Sequence, residues 1–191
     1  LYFPPILGYD PIAVKNITGL TMMQGFFASL SAMLFYHKER FVNRRLVLTL
    51  GLSFFFSSLA GSFLSKYASD RTLLFIFALL AFIASIMMII PRSYEKDHLT
   101  EDKVDFNKTV AISIGITLGF LIGMVGQGGA FITIPVMLYL LKVPLRVAFG
   151  STLAIGLFSA TAGSIGKIAT GQVPFAMAIV LLIGAIPAAR L

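Results

Sequence analysis

The residues best placed to do chemistry are Gly126, Gln127, Gly128 and Gly129, which lead into Ala130-Phe131-Ile132-Thr133-Ile134-Pro135. Three glycines in four positions, then a proline, argue against a regular helix there. A helix restarting at Ala130 offers free N–H groups and a partial positive charge, the means by which helix N-termini hold oxyanions. The Gln127 amide adds a donor, and a polar amide between glycines in an apolar run needs a partner. Ser151 and Thr152 place hydroxyls in the first turns of a second helix, after Pro144. Lys15, Asn16 and Thr18 open an earlier apolar run, where Lys15 could supply a point charge. The chemistry indicated is non-covalent recognition of an anion. Two simpler readings stand beside it: Lys15 snorkels to lipid headgroups, and Ser151 and Thr152 bond back to their own helix or pack as small residues.

The elements that must position these residues lie in a bilayer. The 191 residues are 58% hydrophobic and only 12% charged, against about a quarter charged in a soluble domain, so the chain reads as an integral membrane protein. A span needs about 20 apolar residues. Uncharged runs of that length occur at 16–36, 46–65, 72–91, 147–166 and 168–189, with Gly171 and Pro174 marking the start of the last helix. The uncharged run 109–141 is too long for one span and short for two. It divides at the glycines into a span at 109–125 and a half-length helix at 130–141, or else forms one long kinked span. Irregular backbone at membrane depth is tolerated only where it is buried in protein or lines a cavity. Broken helices of this kind build the substrate sites of secondary transporters.

The fold expected is an all-α polytopic transmembrane bundle built from two repeated halves, with a glycine-broken helix. Leu7, Pro11, Val14, Leu20 and Ser31 match Leu140, Pro144, Val147, Leu153 and Ser164 at a constant offset, and Thr18 falls opposite Ser151. Residues 1–91 form the first half and 109–191 the second, with both open to parallel or inverted arrangement. The linker 92–108 carries Arg92, Lys96, Lys103 and Lys108 with Glu95, Asp97, Glu101, Asp102 and Asp105, and reads as a solvated cytoplasmic loop. The loop 37–45, with Lys38, Arg40, Arg44 and Arg45, shares that side by the positive-inside rule, whereas the turn 66–71 has only Lys66 and Arg71. The net charge of +7 then reflects membrane orientation rather than nucleic-acid binding. The chain opens on Leu1 and stops at Leu191 in mid-pattern, as a piece of a longer protein would.

Several function classes recede. With no cysteine there is no thiolate chemistry and no cysteine metal site. His37 and His98 have no partner at ligand spacing, and neither a GxGxxG fingerprint nor a P-loop lysine is present. No enzyme, cofactor or metal is expected. No Asp or Glu lies inside any span, although cation transporters and proton relays usually keep carboxylates there; this favours an anionic substrate. Gly115, Gly119 and Gly123 repeat every four positions, as do Ser57, Gly61 and Ser65, and Ser159 with Gly163, the close-packing pattern of membrane helices.

Gly-x-Gly-Gly-x-Phe-Ile-x-x-Pro from Gly126 to Pro135, then Pro144, Ala148, Gly150, Ser151, Thr152 and Leu153, resembles the TauE/SafE family of sulfite exporters, also called the 4-toluene sulfonate uptake permease family. Asp10-Pro11 through Lys15-Asn16-Ile17-Thr18 looks like the same element in the first half, so the likeness covers nearly the whole chain. Ala130 departs from the pattern where many members carry a third glycine. The resemblance implies a secondary transporter of small sulfur-containing oxyanions in a bacterial or archaeal inner membrane, with a coupling ion, held at Gly126, Gln127, Gly128, Gly129, Ser151, Thr152, Lys15, Asn16 and Thr18. It leaves substrate and direction open. The rivals are a passive anion channel with the same site and a non-transport membrane subunit or intramembrane enzyme. The partners expected are the anion and the bilayer; the oligomeric state is open, a homodimer included.

Overall fold

The computed structural model describes residues 12–35, 42–90, 106–126 and 130–188. These form seven helices and no strand among the described residues: α1 (Val14–Phe35), α2 (Arg44–Leu64), α3 (Asp70–Ile89), α4 (Lys108–Val125), α5 (Ala130–Tyr139), α6 (Leu145–Ala169) and α7 (Phe175–Ala188). Four of them, α2, α3, α4 and α6, are long and apolar enough to cross a membrane. The ten residues of α5 reach only about 15 Å, half the hydrocarbon thickness. The linker at 91–105 and the central glycine-motif residues at 127–129 lie outside the described residues.

Helix starts are set by short polar side chains. Asn43 accepts from the Leu46 N–H, Ser69 from Thr72, and Asn107 from Thr109 and Val110. These caps satisfy amides that have no partner inside the helix. Asn107→Ala should therefore lower stability by about 1 kcal/mol, read as a small drop in the unfolding midpoint of the purified protein.

The centre of the bundle is three parallel helices. Along α2 and α4, Ser53 faces Gly115, Ser57 faces Gly119, and Ser58 faces Gly123, so residue numbers rise together. The Ser57 hydroxyl donates across this seam to the Gly115 carbonyl at 3.1 Å. Along α2 and α6, Ser58 donates to the Ser159 carbonyl at 3.0 Å, and Ser62 lies against Gly166. Small residues let these backbones approach, which is how helices associate where lipid gives no hydrophobic drive between them. α1 runs antiparallel to α6: Gly19 meets Gln172 and Met22 meets Gly163. α3 turns back from α2 through 65–69 and presents Phe75, Phe82, Met88 and Ile89 outward, burying only Leu73, Leu80 and Ala84. α5 returns from the end of α4 toward the opposite end of α3, where the Tyr139 hydroxyl donates to the Ile90 carbonyl at 2.6 Å. α2, α4 and α6 thus all begin at the end carrying Arg45 and Phe106, whose guanidinium and ring lie 6.0 Å apart, and all finish at the other end.

Candidate functional site: a buried ammonium where three helices end

At the end where α2, α4 and α6 finish, one side chain dominates. Lys167, in the last turn of α6, is 0% exposed. Its Nζ donates to Thr18 Oγ1 at 2.9 Å, Ser65 Oγ at 2.7 Å, Gln172 Oε1 at 3.0 Å and the Met124 carbonyl at 3.1 Å. None of these partners is a carboxylate. The neighbouring oxygens have other acceptors for their own hydrogens. Thr18 directs its own hydrogen to the Lys15 carbonyl at 2.8 Å, and Ser65 directs its hydrogen to the Ser62 carbonyl at 2.6 Å, with Gln172 Oε1 at 3.1 Å as its second acceptor. The Gln172 Nε2 donates to Thr170 Oγ1 at 2.6 Å and the Ser62 carbonyl at 3.4 Å, which turns Oε1 toward Lys167. Four neutral oxygens thus accept from Nζ, an arrangement that suits an ammonium. The position also suits a cation: Ser65 caps α2, Met124 lies in the last turn of α4 and Lys167 in that of α6, and helix C-termini carry partial negative charge.

The α4 terminus is shaped by Gly126. It stands in the left-handed region at φ 81°, and its N–H closes α4 on the Ile122 carbonyl at 2.8 Å. Its carbonyl accepts from Thr21 Oγ1 at 2.6 Å, and its Cα lies against the Thr18 backbone so closely that a Cβ has no room. Lys15 reaches from the first turn of α1 to donate to the Lys66 carbonyl at 2.7 Å, and Asp70 Oδ2 accepts the first amide of α1 at Val14. Asn16 is half-buried in the opening turn of α1. The structure therefore brings Lys15, Thr18 and Gly126 into one cluster with Lys167, while Gln127, Gly128 and Gly129 lie outside the described residues.

Ser151 and Thr152 are elsewhere. Ser151 is buried near the start of α6, where its hydroxyl accepts the Asn43 N–H at 3.3 Å. Thr152 donates back to the Ala148 carbonyl at 2.7 Å, with the Met137 sulfur at 3.5 Å. From residue 151 to residue 167 the helix rises roughly 24 Å, so these hydroxyls and the Thr18 cluster do not share a single cradle in this conformation. Between them, the buried hydroxyls of Ser159 and Ser164 on α6 have no hydrogen-bond partner among the described residues.

Lys167 and Gln172 were not among the residues singled out from the sequence. The run 147–166 ends at Lys167, which there reads as a charge closing a span at the membrane surface. The signal that could have found it is the small-residue approach before it, Gly163 and Gly166, and the polar Gln172 one turn after it.

Seven helices among the described residues, four of them long and apolar enough to cross a bilayer, define a multi-pass membrane protein with a buried lysine among neutral oxygens. The family model for the sulfite exporter TauE/SafE matches residues 1–191, and the chain belongs to that family. It is 25% identical over 195 aligned positions to the probable membrane transporter protein YunE of Bacillus subtilis (strain 168), covering 93% of this chain and 70% of that protein. It is 26% identical over 175 positions to the probable membrane transporter protein YdhB of the same organism, covering 91% and 71%. No solved structure matches the chain. The protein is a membrane transporter of the sulfite exporter family, multi-pass and helical.

Proposed function

We propose that the protein carries small sulfur-containing oxyanions, such as sulfite, sulfonates and sulfoacetate-like anions, across the cell membrane by alternating access. The observation that carries this reading is the buried Lys167 ammonium, whose bonded partners among the described residues are all neutral. A charge buried without an opposite charge is costly in a low-dielectric interior, and an arriving anion offsets that cost. The three hydrogens of Lys167 already serve four oxygens, so it acts on the anion through its field while N–H and hydroxyl groups make the contacts. The N-terminus of α5 and the residues Gly126 to Gly129 before it suit that role, with the Gln127 amide as a side-chain donor. The unpartnered hydroxyls of Ser159 and Ser164 offer donors on the way toward Ser151 and Thr152 at the other end of α6.

The antiparallel course of α1 and α6 supports an inverted relation between the two halves, because the sequence echo pairs Thr18 with Ser151. Equivalent positions of an inverted repeat lie toward opposite membrane faces, in keeping with Thr18 near Lys167 and Ser151 near Asn43. The basic residues of 37–45 and 92–108 favour a cytoplasmic side for the starts of α2, α4 and α6, with the Lys167 cluster then toward the outer face. Coupling to an ion gradient would separate this transporter from a passive channel with the same lining.

The experiment is flux of radiolabelled sulfite and a sulfonate into liposomes containing the full-length protein, beside Gln127→Ala, with sulfate and an amine as controls. The expected result is selective sulfur-anion flux, concentrative under an ion gradient, reduced at least tenfold in Gln127→Ala while the variant keeps its unfolding midpoint. Absence of flux for every sulfur anion would overturn the substrate reading. Equal loss of folded protein and flux would overturn the Gln127 role.

A further inference from the structure

The oxygens around Lys167 have the composition of an ion site rather than of a packing contact. Thr18 Oγ1, Ser65 Oγ, Met124 O and Gln172 Oε1 surround Nζ at 2.7 to 3.1 Å. All four are neutral, and the three with hydrogens on the same group direct those hydrogens elsewhere. One is a main-chain carbonyl in the last turn of a helix, and a second comes from the residue that caps another helix. Carbonyl and hydroxyl oxygens on negative helix ends are what replaces the hydration shell of a monovalent cation within membranes. The spacing suits an ion of ammonium or potassium size; magnesium requires octahedral oxygens near 2.0–2.1 Å.

We propose that Lys167 Nζ occupies a monovalent-cation site and is a tethered substitute for a bound cation, held by Thr18, Ser65, Met124 and Gln172. The positive charge that a transporter can recruit as a separate ion is here part of the chain. Removing the side chain but not the oxygens converts the position into a site for free potassium or ammonium. For its meaning in transport the inference rests on the proposed anion site. Its test reads stability alone, so a protein that moves no sulfur oxyanion can still pass it, and one that moves sulfite can still fail it.

Full-chain Lys167→Ala is purified in detergent in potassium, ammonium or choline chloride at equal ionic strength, and its thermal unfolding midpoint is measured beside wild type. Potassium or ammonium should raise the Lys167→Ala midpoint by about 5 °C over choline at roughly a hundredfold excess over the dissociation constant. Wild type should show no such difference, and adding Ser65→Ala to the variant should weaken the response. A Lys167→Ala midpoint that is the same in all three salts overturns the proposal, as does failure to isolate this variant in potassium as well as in choline. Lys167→Met fills the space without charge and should stay below wild type in every salt. A Met variant as stable as wild type in choline shows that the position asks for volume alone, and overturns the proposal independently.

Discussion

Lys167→Glu should yield almost no folded protein. The carboxylate would enter a ring of oxygens that now all accept from Nζ. Thr18 and Ser65 could turn their hydroxyls toward it only by releasing the Lys15 and Ser62 carbonyls. The Met124 carbonyl has no hydrogen to offer, and the ends of α2, α4 and α6 present negative partial charge to the intruding anion. Uncompensated buried charge costs on the order of 3–5 kcal/mol, a large share of a total stability of roughly 5–15 kcal/mol. The yield of monodisperse protein after detergent extraction checks this, with Lys167→Gln as the neutral comparison, which should lose less. A Lys167→Glu protein extracted and melted like wild type would show that those oxygens do not hold a cation at all.

That Lys167 escaped a sequence reading has a physical reason. A lysine closing an uncharged run looks the same whether it meets headgroups or folds inward. The difference lies in partners far away along the chain, at residues 18, 65 and 124. Ser65 was similarly misleading. It continues the four-residue spacing of Ser57 and Gly61 and so reads as packing surface, yet its hydroxyl is a ligand of Lys167. What local chemistry does dictate was legible. The runs 46–65, 72–91 and 147–166 correspond to α2 (Arg44–Leu64), α3 (Asp70–Ile89) and α6 (Leu145–Ala169), because hydrocarbon leaves a backbone no partner but its own helix. The Gly115, Gly119 and Gly123 stripe lies against α2 as its spacing implies. The distance between Thr18 and Ser151 was not legible, since it depends on the direction of α6 relative to α1, and periodicity carries no direction.

Gly126→Ala is expected to cost much more than Gly171→Ala, and the comparison isolates what the Gly126 position demands. Both glycines have left-handed backbone, φ 81° and φ 70°, so an alanine at either pays about 1–2 kcal/mol for an L-residue in that conformation. Around Gly171 a Cβ meets nothing within 4 Å, and the cost stops there. At Gly126 the Cβ is driven into the Thr18 carbonyl and Cα, which are helical backbone atoms in the second turn of α1 and cannot rotate away. Relief requires α1 and the end of α4 to separate. That movement stretches the Thr21 bond to the Gly126 carbonyl and displaces the Met124 and Thr18 oxygens from Lys167. Local strain is thus passed to the buried ammonium, and the total should exceed roughly 3 kcal/mol. The thermal midpoints of the two alanine variants, measured side by side, decide the matter: a wide gap locates the demand in the α1–α4 contact, and equal losses would mean that backbone conformation alone requires a glycine at 126.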